Sequence, residues 1–320
     1  MPEPVVPAKP GAPAVPVLPT VPTMSAVLAG ELHAAGLDAD AVAAIAAAAL
    51  AEDLAGGIDE TTAATVPAAT TGQAALVAHS PGVVAGLGVA RVVFWLVSAE
   101  LSAAEITTGE LAADGDRIAA GQTLLTVSGP VRPILTAERT ALNLLCHLSG
   151  IATLTRQWAD AVAGTRARIR DTRKTTPGLR ALEKYAVRCG GGTNHRMALS
   201  DAALIKDNHV AAAGSVAAAF AAVRARAPGL PLEVECDTLE QVAEALAAGA
   251  EQILLDNFTV PQMAEAVQMA GGRALLEASG GLTLASARAV AGTGVDYLAV
   301  GALTHSAPAL DIGLDLVQAS

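Results

Sequence analysis

The chain has 320 residues, is 52% hydrophobic and only 2% aromatic, and carries a net charge of -11. That length supports one large or two ordinary domains, with a core of Ala, Val, Leu and Ile and an Ala excess that favours helices. The acidic balance argues against a general nucleic-acid surface. No apolar run reaches the roughly 18 residues needed to cross a membrane, and the start of the chain lacks the pattern of a secretory signal, so no membrane partner is expected. Cys146, Cys189 and Cys236 are too scattered for a zinc site and odd in number for a disulfide framework, which fits a reducing cytoplasm. Charge is unevenly spread. Arg132 to Lys206 holds 13 Lys and Arg against 5 Asp and Glu, while the remainder holds 7 against 26. Cations concentrated in an otherwise acidic chain suit a small anion; solvated surface salt bridges are the competing explanation at this level.

Residues 1–23 read as a tail. Prolines fall at every third position from Pro4 to Pro22, the period of a polyproline II helix. A helical region is expected over about 25–53, with Asp38 and Asp40 as candidate caps. Strand-like runs follow at Gln73 to His79, Glu105 to Thr108 and Gln122 to Val127, with a helix at about 88–99 between the first two. This is the pattern of a small α+β domain. Asp114-Gly115-Asp116, with Gly121 and Gly129, looks like half of a lipoyl or biotinyl carrier domain. Such a carrier needs a lysine at a hairpin tip, and none occurs between Lys9 and Lys174, so these glycines are read as turn residues.

A long helix is expected over about 133–163. Arg139, Asn143 and His147 share one face of it at four-residue spacing, among enough leucines to make the helix largely buried. From Arg166 the pattern alternates between short apolar runs and helices. Strands are expected at 166–170, 203–206, 232–236, 252–256, 274–278 and 297–301. Helical segments separate the last four. This is the βα rhythm of a parallel sheet or barrel.

Polar or small residues cluster at the ends of these strands: Asp171-Thr172-Arg173-Lys174, Lys206-Asp207-Asn208-His209, Glu233 and Glu235, Asp256-Asn257, Glu277 and Ser279-Gly280-Gly281, then Gly301 and His305. In a βα barrel the carboxyl ends of the strands converge on the active site. Arg173, Lys174, His195, Arg196 and Lys206 form a cationic side suited to carboxylates and phosphates. Glu235 and Asp256 form an acidic side suited to Mg²⁺ with substrate oxygens. Gly-rich turns leading into helices can present N–H groups to phosphate. Gly190-Gly191-Gly192-Thr193 is no Walker A loop, because no Gly-Lys-Ser/Thr follows.

The motifs resemble those of the quinolinate phosphoribosyltransferase family. The resemblance rests on Glu138 to Asn143, Asp171 to Gly178, Gly191 to Arg196, Lys206 to His209, Glu233-Val234-Glu235, Leu255-Asp256-Asn257, Glu277 to Gly281 and Asp311 to Asp315. It covers about 25–318. The family's early Glu-Asp-x-x-x-Gly-Asp-x-Thr signature is lengthened here, as Glu52 to Thr62.

The resemblance implies a type II phosphoribosyltransferase-like α/β fold: an N-terminal α/β sandwich domain and an open six-stranded α/β barrel. It divides the chain into the tail 1–23, a sandwich at 24–145 with the return of 306–320, and a barrel at 146–305. It implies a homodimer in which Arg139 reaches the neighbour's site. Arg173, His195, Arg196 and Lys206 would bind the two carboxylates of quinolinate. Lys174, Glu235 and Asp256 would serve phosphoribosyl pyrophosphate and Mg²⁺, with Glu235 or Asp256 stabilising a cationic sugar. Ser279, Gly280, Gly281, Gly301 and His305 would line the phosphate side. The implied product is nicotinate mononucleotide. A relative acting on nicotinate would need fewer cations, so five cationic or potentially cationic side chains favour a dicarboxylate. A relative without catalysis and a barrel-fold scaffold docking through its proline tail are further alternatives; the combined acids and cations argue against the scaffold.

Overall fold

The computed structural model describes residues 24–101 and 105–319, so the proline-rich segment lies outside the described residues. The expected first helical region divides in two, α1 (Ala26–Ala34) and α2 (Ala39–Leu54), whose axes are bent by 105°. The break follows from the caps. Gly36 turns the chain with φ 74°, and the Asp38 carboxylate accepts the N–H of Ala41 to begin α2. Asp40 sits in the first turn of α2 and caps nothing. A short α3 (Glu60–Thr65) starts where Asp59 accepts from Thr62 N–H, inside the lengthened early signature.

Strands β1 (Thr71–Ala78), β3 (Thr107–Glu110), β5 (Thr123–Pro130) and β12 (Ile312–Ala319) form one antiparallel sheet in the order β12-β1-β5-β3. The last strand of the chain thus returns to pair with the first. A separate two-residue pairing joins β2 (Gly82–Val83) to β4 (Arg117–Ile118). Helix α4 (Leu87–Leu101) packs its Val89, Val92, Val93 and Leu96 into the core. Of the carrier-like glycines, Gly115 and Gly121 make turns, with φ 99° and 82°, whereas Gly129 lies inside β5 opposite Gly72. The neighbouring Asp114 ties elements together, accepting from Leu87 N–H at 3.0 Å and from the Tyr185 hydroxyl at 2.6 Å.

Helix α5 (Val131–Ala161) is the longest element and packs against both α4 and α6 (Arg180–Cys189). Val131, Ile134, Ala137, Ala141, Leu145, Leu148 and Ile151 bury one side of it completely. Each buried aliphatic side chain of this size contributes about 1.5–3 kcal/mol, so the polar positions 139, 143 and 147 are easily tolerated on the remaining face.

The second sheet is parallel: β6 (Arg168–Arg170), β7 (Ala203–Ile205), β8 (Leu232–Cys236), β9 (Gln252–Asp256), β10 (Leu275–Ser279) and β11 (Tyr297–Ala299), in the order β6-β11-β10-β9-β8-β7. The connecting helices α8 (Val216–Arg226), α9 (Leu239–Ala247), α10 (Val260–Ala270) and α11 (Leu284–Ala291) have Ser215, Thr238, Thr259 and Thr283 at their N-caps. Two short helices, α7 (Asp207–Ala213) and α12 (Ala302–His305), follow β7 and β11. Residues from all six strands or the turns that follow them line one cavity, so the sheet curls into a barrel left open between β6 and β7. The segment after α6 enters that gap. Thr193 bridges Arg170 in parallel, its N–H donating to Ile169 O at 2.8 Å and its carbonyl accepting from Asp171 N–H at 3.1 Å. Arg196 then reaches toward β7, with Nη1 donating to Ala202 O at 2.8 Å.

Candidate active site

The carboxyl ends of the barrel strands enclose a cavity of about 350 Å³ lined by residues of every strand or its following loop. Arg173, Lys174, His195, Arg196, Lys206, Glu235, Asp256 and Ser279 all line it. Gly301 sits just beside: a side chain there would meet Lys174 Cδ at 3.1 Å and His305 Nε2 at 3.3 Å. Gly280 and Gly281 turn the chain after β10 with φ 85° and 59°, and a side chain on Gly280 would strike Asn257 Oδ1. Arg139 is not part of its own chain's cavity. Its side chain stands 64% exposed on α5, with Glu138 at 4.0 Å.

The cationic side is built from two chain segments. Arg173 follows β6, and Arg196 lies in the segment filling the barrel gap. Burial, then the nearby Arg173 charge, lowers the Arg196 guanidinium from its ordinary pKa. Arg173 Nε is buried without a hydrogen-bond partner. Two close guanidiniums with unspent donor capacity form a receptor for a multiply charged anion. Lys174 is held through its backbone, its N–H donating to Thr172 Oγ1 at 3.0 Å and its carbonyl accepting from Thr304 Oγ1 at 2.7 Å. Its ammonium group remains on the exposed side of the cavity.

The acidic side is formed by adjacent parallel strands. Glu235 lies opposite Leu254 in the β8–β9 register, and Asp256, two residues on, faces the same way. Both carboxylates reach the cavity. Glu235 Oε2 accepts from Lys206 Nζ at 2.6 Å, and Asp256 Oδ2 accepts from Asn257 Nδ2 at 2.8 Å. Oxygen donors from two carboxylates match the hard-cation preference of Mg²⁺.

His195 occupies a different position in the hydrogen-bond pattern from the arginines. Its Nδ1 accepts the backbone N–H of Arg196 at 2.8 Å, and its Nε2 lies 2.7 Å from Glu233 Oε2. With Nδ1 accepting a backbone N–H, Nε2 is the ring nitrogen turned toward Glu233. Below the cavity, Arg170 Nη1 donates to Glu277 Oε2 at 2.6 Å and its guanidinium lies 3.8 Å from the Tyr297 ring centre. Glu233 and Glu277 are both buried, and Glu277 Oε1 has no hydrogen-bond partner. Burial first, and then the Glu233 charge, pushes the Glu277 carboxyl above its ordinary range against the opposing pull of Arg170. His195, Glu233 and Glu277 place donor atoms within 4.8 Å of one another. Arg170 already answers the charge of that buried trio, so the open pair Glu235 and Asp256 is the better cation site.

Glu233, on the same strand as Glu235, belongs with the strand-end residues in sequence but holds His195 from below in the structure. Sequence reasoning gives no site role to Arg170, Thr172, Lys184 or Asn194. Thr172 has a signal, since it lies inside a strand-end motif. Lys184 has none, being one cation on a helix whose other charges are exposed or paired.

These features define a protein of the α/β-barrel class with an anion-receptive cavity at its strand ends. A family model for the quinolinate phosphoribosyl transferase N-terminal domain matches residues 59–149, and one for the C-terminal domain matches 151–315. The chain is 60% identical over 271 residues to a nicotinate-nucleotide pyrophosphorylase [carboxylating] of Mycobacterium leprae, covering 84% of this chain and 94% of that one. A probable nicotinate-nucleotide pyrophosphorylase [carboxylating] of Bacillus subtilis is 43% identical, covering 76% and 83%. The solved nicotinate-nucleotide pyrophosphorylase of Francisella tularensis superposes with a TM-score of 0.81 at 37% identity, covering 88% and 96%. The chain belongs to the quinolinate phosphoribosyltransferase family.

Proposed function

We propose that this protein transfers the phosphoribosyl group of phosphoribosyl pyrophosphate to quinolinate with decarboxylation, giving nicotinate mononucleotide, carbon dioxide and pyrophosphate, a step of de novo NAD biosynthesis. The observation that carries the reading is the convergence of Arg173 and Arg196 with Glu235 and Asp256 on one cavity. Arg173, Arg196 and Lys206 receive the two substrate carboxylates. His195, held by Glu233, completes that wall. Lys174, Ser279 and the turn Gly280-Gly281, with Gly301 and His305 beside it, face the phosphates.

The pyridine nitrogen attacks the anomeric carbon as the bond to pyrophosphate breaks. Positive charge on the sugar is stabilised by Glu235 or Asp256. The ring nitrogen, now cationic, stabilises the electron pair left on the adjacent ring carbon when its carboxylate departs as carbon dioxide, and that carbon then takes up a proton. Glu235 and Asp256 would hold Mg²⁺, which when bound neutralises charge on pyrophosphate. The chain itself supplies positioning and fixed charge, and no nucleophilic side chain is required.

We extend the reading to a homodimer with shared sites in the cytoplasm. Arg139 is exposed and does not line its own chain's cavity. An apolar hollow of about 520 Å³, which includes the 70% exposed Leu199, adjoins Arg196 and the edge strand β7. A partner covering this face would bring Arg139 of the partner subunit toward the substrate. The three cysteines are unpaired, as in a reducing compartment. The catalytic test is pyrophosphate release with Mg²⁺ and phosphoribosyl pyrophosphate, offering quinolinate and then nicotinate. Turnover with quinolinate and little with nicotinate is expected; preference for nicotinate overturns the reading.

A further inference from the structure

Two segments distant in sequence supply the cationic wall: the loop after β6, carrying Arg173 and Lys174, and the gap segment, carrying His195 and Arg196. They meet at a buried lysine. Lys184, on α6, is completely buried, as is Asp171 at the end of β6. Lys184 Nζ donates to Asp171 Oδ1 at 2.5 Å, to His195 O at 2.8 Å and to Arg196 O at 3.1 Å. All three ammonium protons are thereby used. Asp171 Oδ1 also accepts the backbone N–H of His195 at 2.9 Å, and Oδ2 accepts from Asn194 Nδ2 at 2.5 Å. The same Asn194 amide donates to Lys184 O at 2.8 Å.

We propose that Lys184, with Asp171 and Asn194, is a positioning residue for the dicarboxylate subsite, fixing the spacing between the Arg173 and Arg196 guanidiniums. This rests on the assignment of quinolinate to that side of the cavity. A buried charge pair is weak evidence of stabilisation, because well-packed apolar groups often do as well. Here the cation's two other bonds go to the carbonyls of consecutive cavity residues, which ties its position to the site. Beyond the lysine, Tyr185 is bonded to Asp114, while Glu183 is bonded to His147 at 2.9 Å and to Thr176 N–H at 3.0 Å. Three consecutive residues of α6 therefore anchor the β6 loop, the gap segment and the loop before β4 to one rigid element. The network touches β8 through His195, whose Nε2 lies 2.7 Å from Glu233, but the cavity acids Glu235 and Asp256 bond instead to Lys206 and Asn257. Loss of the lysine should accordingly weaken one substrate and spare the other.

The decisive variant is Lys184→Met with Asp171→Asn. Lys184→Met alone strands a buried carboxylate and destabilises strongly, whereas neutralising both partners does so far less. The asparagine introduced by Asp171→Asn can still accept from His195 N–H, but both carbonyl anchors are gone. Misplacement by about 1 Å can alter binding or rate by about 100-fold. The expected result is a melting temperature well above that of Lys184→Met, a KM for quinolinate raised by about 10- to 100-fold, and a KM for phosphoribosyl pyrophosphate within about threefold of wild type. A quinolinate KM that recovers together with stability, or two KM values that rise in parallel, overturns the proposal. If the double variant does not fold, Asn194→Ala, which strands no charge, decides by the same split in KM. Wild-type protein serves as the control: failure to turn over quinolinate at all refutes the substrate assignment, whereas normal wild-type turnover with unshifted variants refutes only the role of Lys184.

Discussion

Glu277 shows how a single buried acid can shape the site. It is 2% exposed, bonded to Arg170 and close to the Glu233 carboxylate, with one oxygen unpartnered. Its pKa is raised from 4.5, by burial first and then by Glu233. The unfolded chain releases this proton near the ordinary value while the folded chain retains it, so wild-type stability falls as pH rises from that value toward the raised one. A Glu277→Gln variant carries no such proton. Its melting temperature relative to wild type should therefore climb as pH increases above about 4.5 and level off once wild-type Glu277 has ionised. A difference that stays constant or declines across that window would show that the buried acid is not held protonated. The Glu277 position is visible in sequence as part of a strand-end motif. Its charge state is not, because that depends on Glu233 and Arg170, which come from other strands.

At the scale of elements, the barrel strands are legible as short apolar runs, and α9, α10 and α11 follow theirs at regular spacing behind Thr caps. The helices α3, α6, α7, α8 and α12 have no expected bounds, and within the first helical region only the cap at Asp38, not Asp40, begins a helix. Alanine-rich sequence carries helix propensity through the bend, so only Gly36 and the Asp38 cap mark it. In sequence the glycine run before Thr193 only fails the phosphate-loop pattern, and the structure supplies its reason. A side chain on Gly190 would lie 2.5 Å from Ala152 O and 2.5 Å from Thr155 Cβ, both on α5. The gap segment leaves α6 through this contact. Gly190→Ala should push it off α5, destabilising the protein by about 1–3 kcal/mol and raising the KM for quinolinate. Thermal melting and initial rates check both effects; unchanged values would mean that α5 does not support the cationic wall.

For the whole molecule, the sequence motifs lead to most of the cavity but cannot place Arg139. It lies on the same long helix that supports the barrel, yet its side chain is exposed and does not line its own chain's cavity. The shared-site reading gives this a physical reason. Removing an arginine that faces a desolvated carboxylate should cost about 2–5 kcal/mol, roughly thirtyfold to several thousandfold in affinity or rate. Arg139→Ala and Arg173→Ala homodimers should both be nearly inactive. In a mixed dimer one site receives both defects and the other neither, so about half of the wild-type activity should return. A mixture that remains inactive while heterodimers form would assign Arg139 to its own subunit. In the proposed reaction, sugar transfer to the ring nitrogen enables loss of the neighbouring carboxylate. The direct measurement of that coupling uses quinolinate labelled with ¹⁴C in the carboxyl group beside the ring nitrogen. The protein with Mg²⁺ should release labelled carbon dioxide in equal amount to pyrophosphate, and none when phosphoribosyl pyrophosphate is omitted. Pyrophosphate without labelled carbon dioxide, or carbon dioxide without the sugar donor, would contradict it.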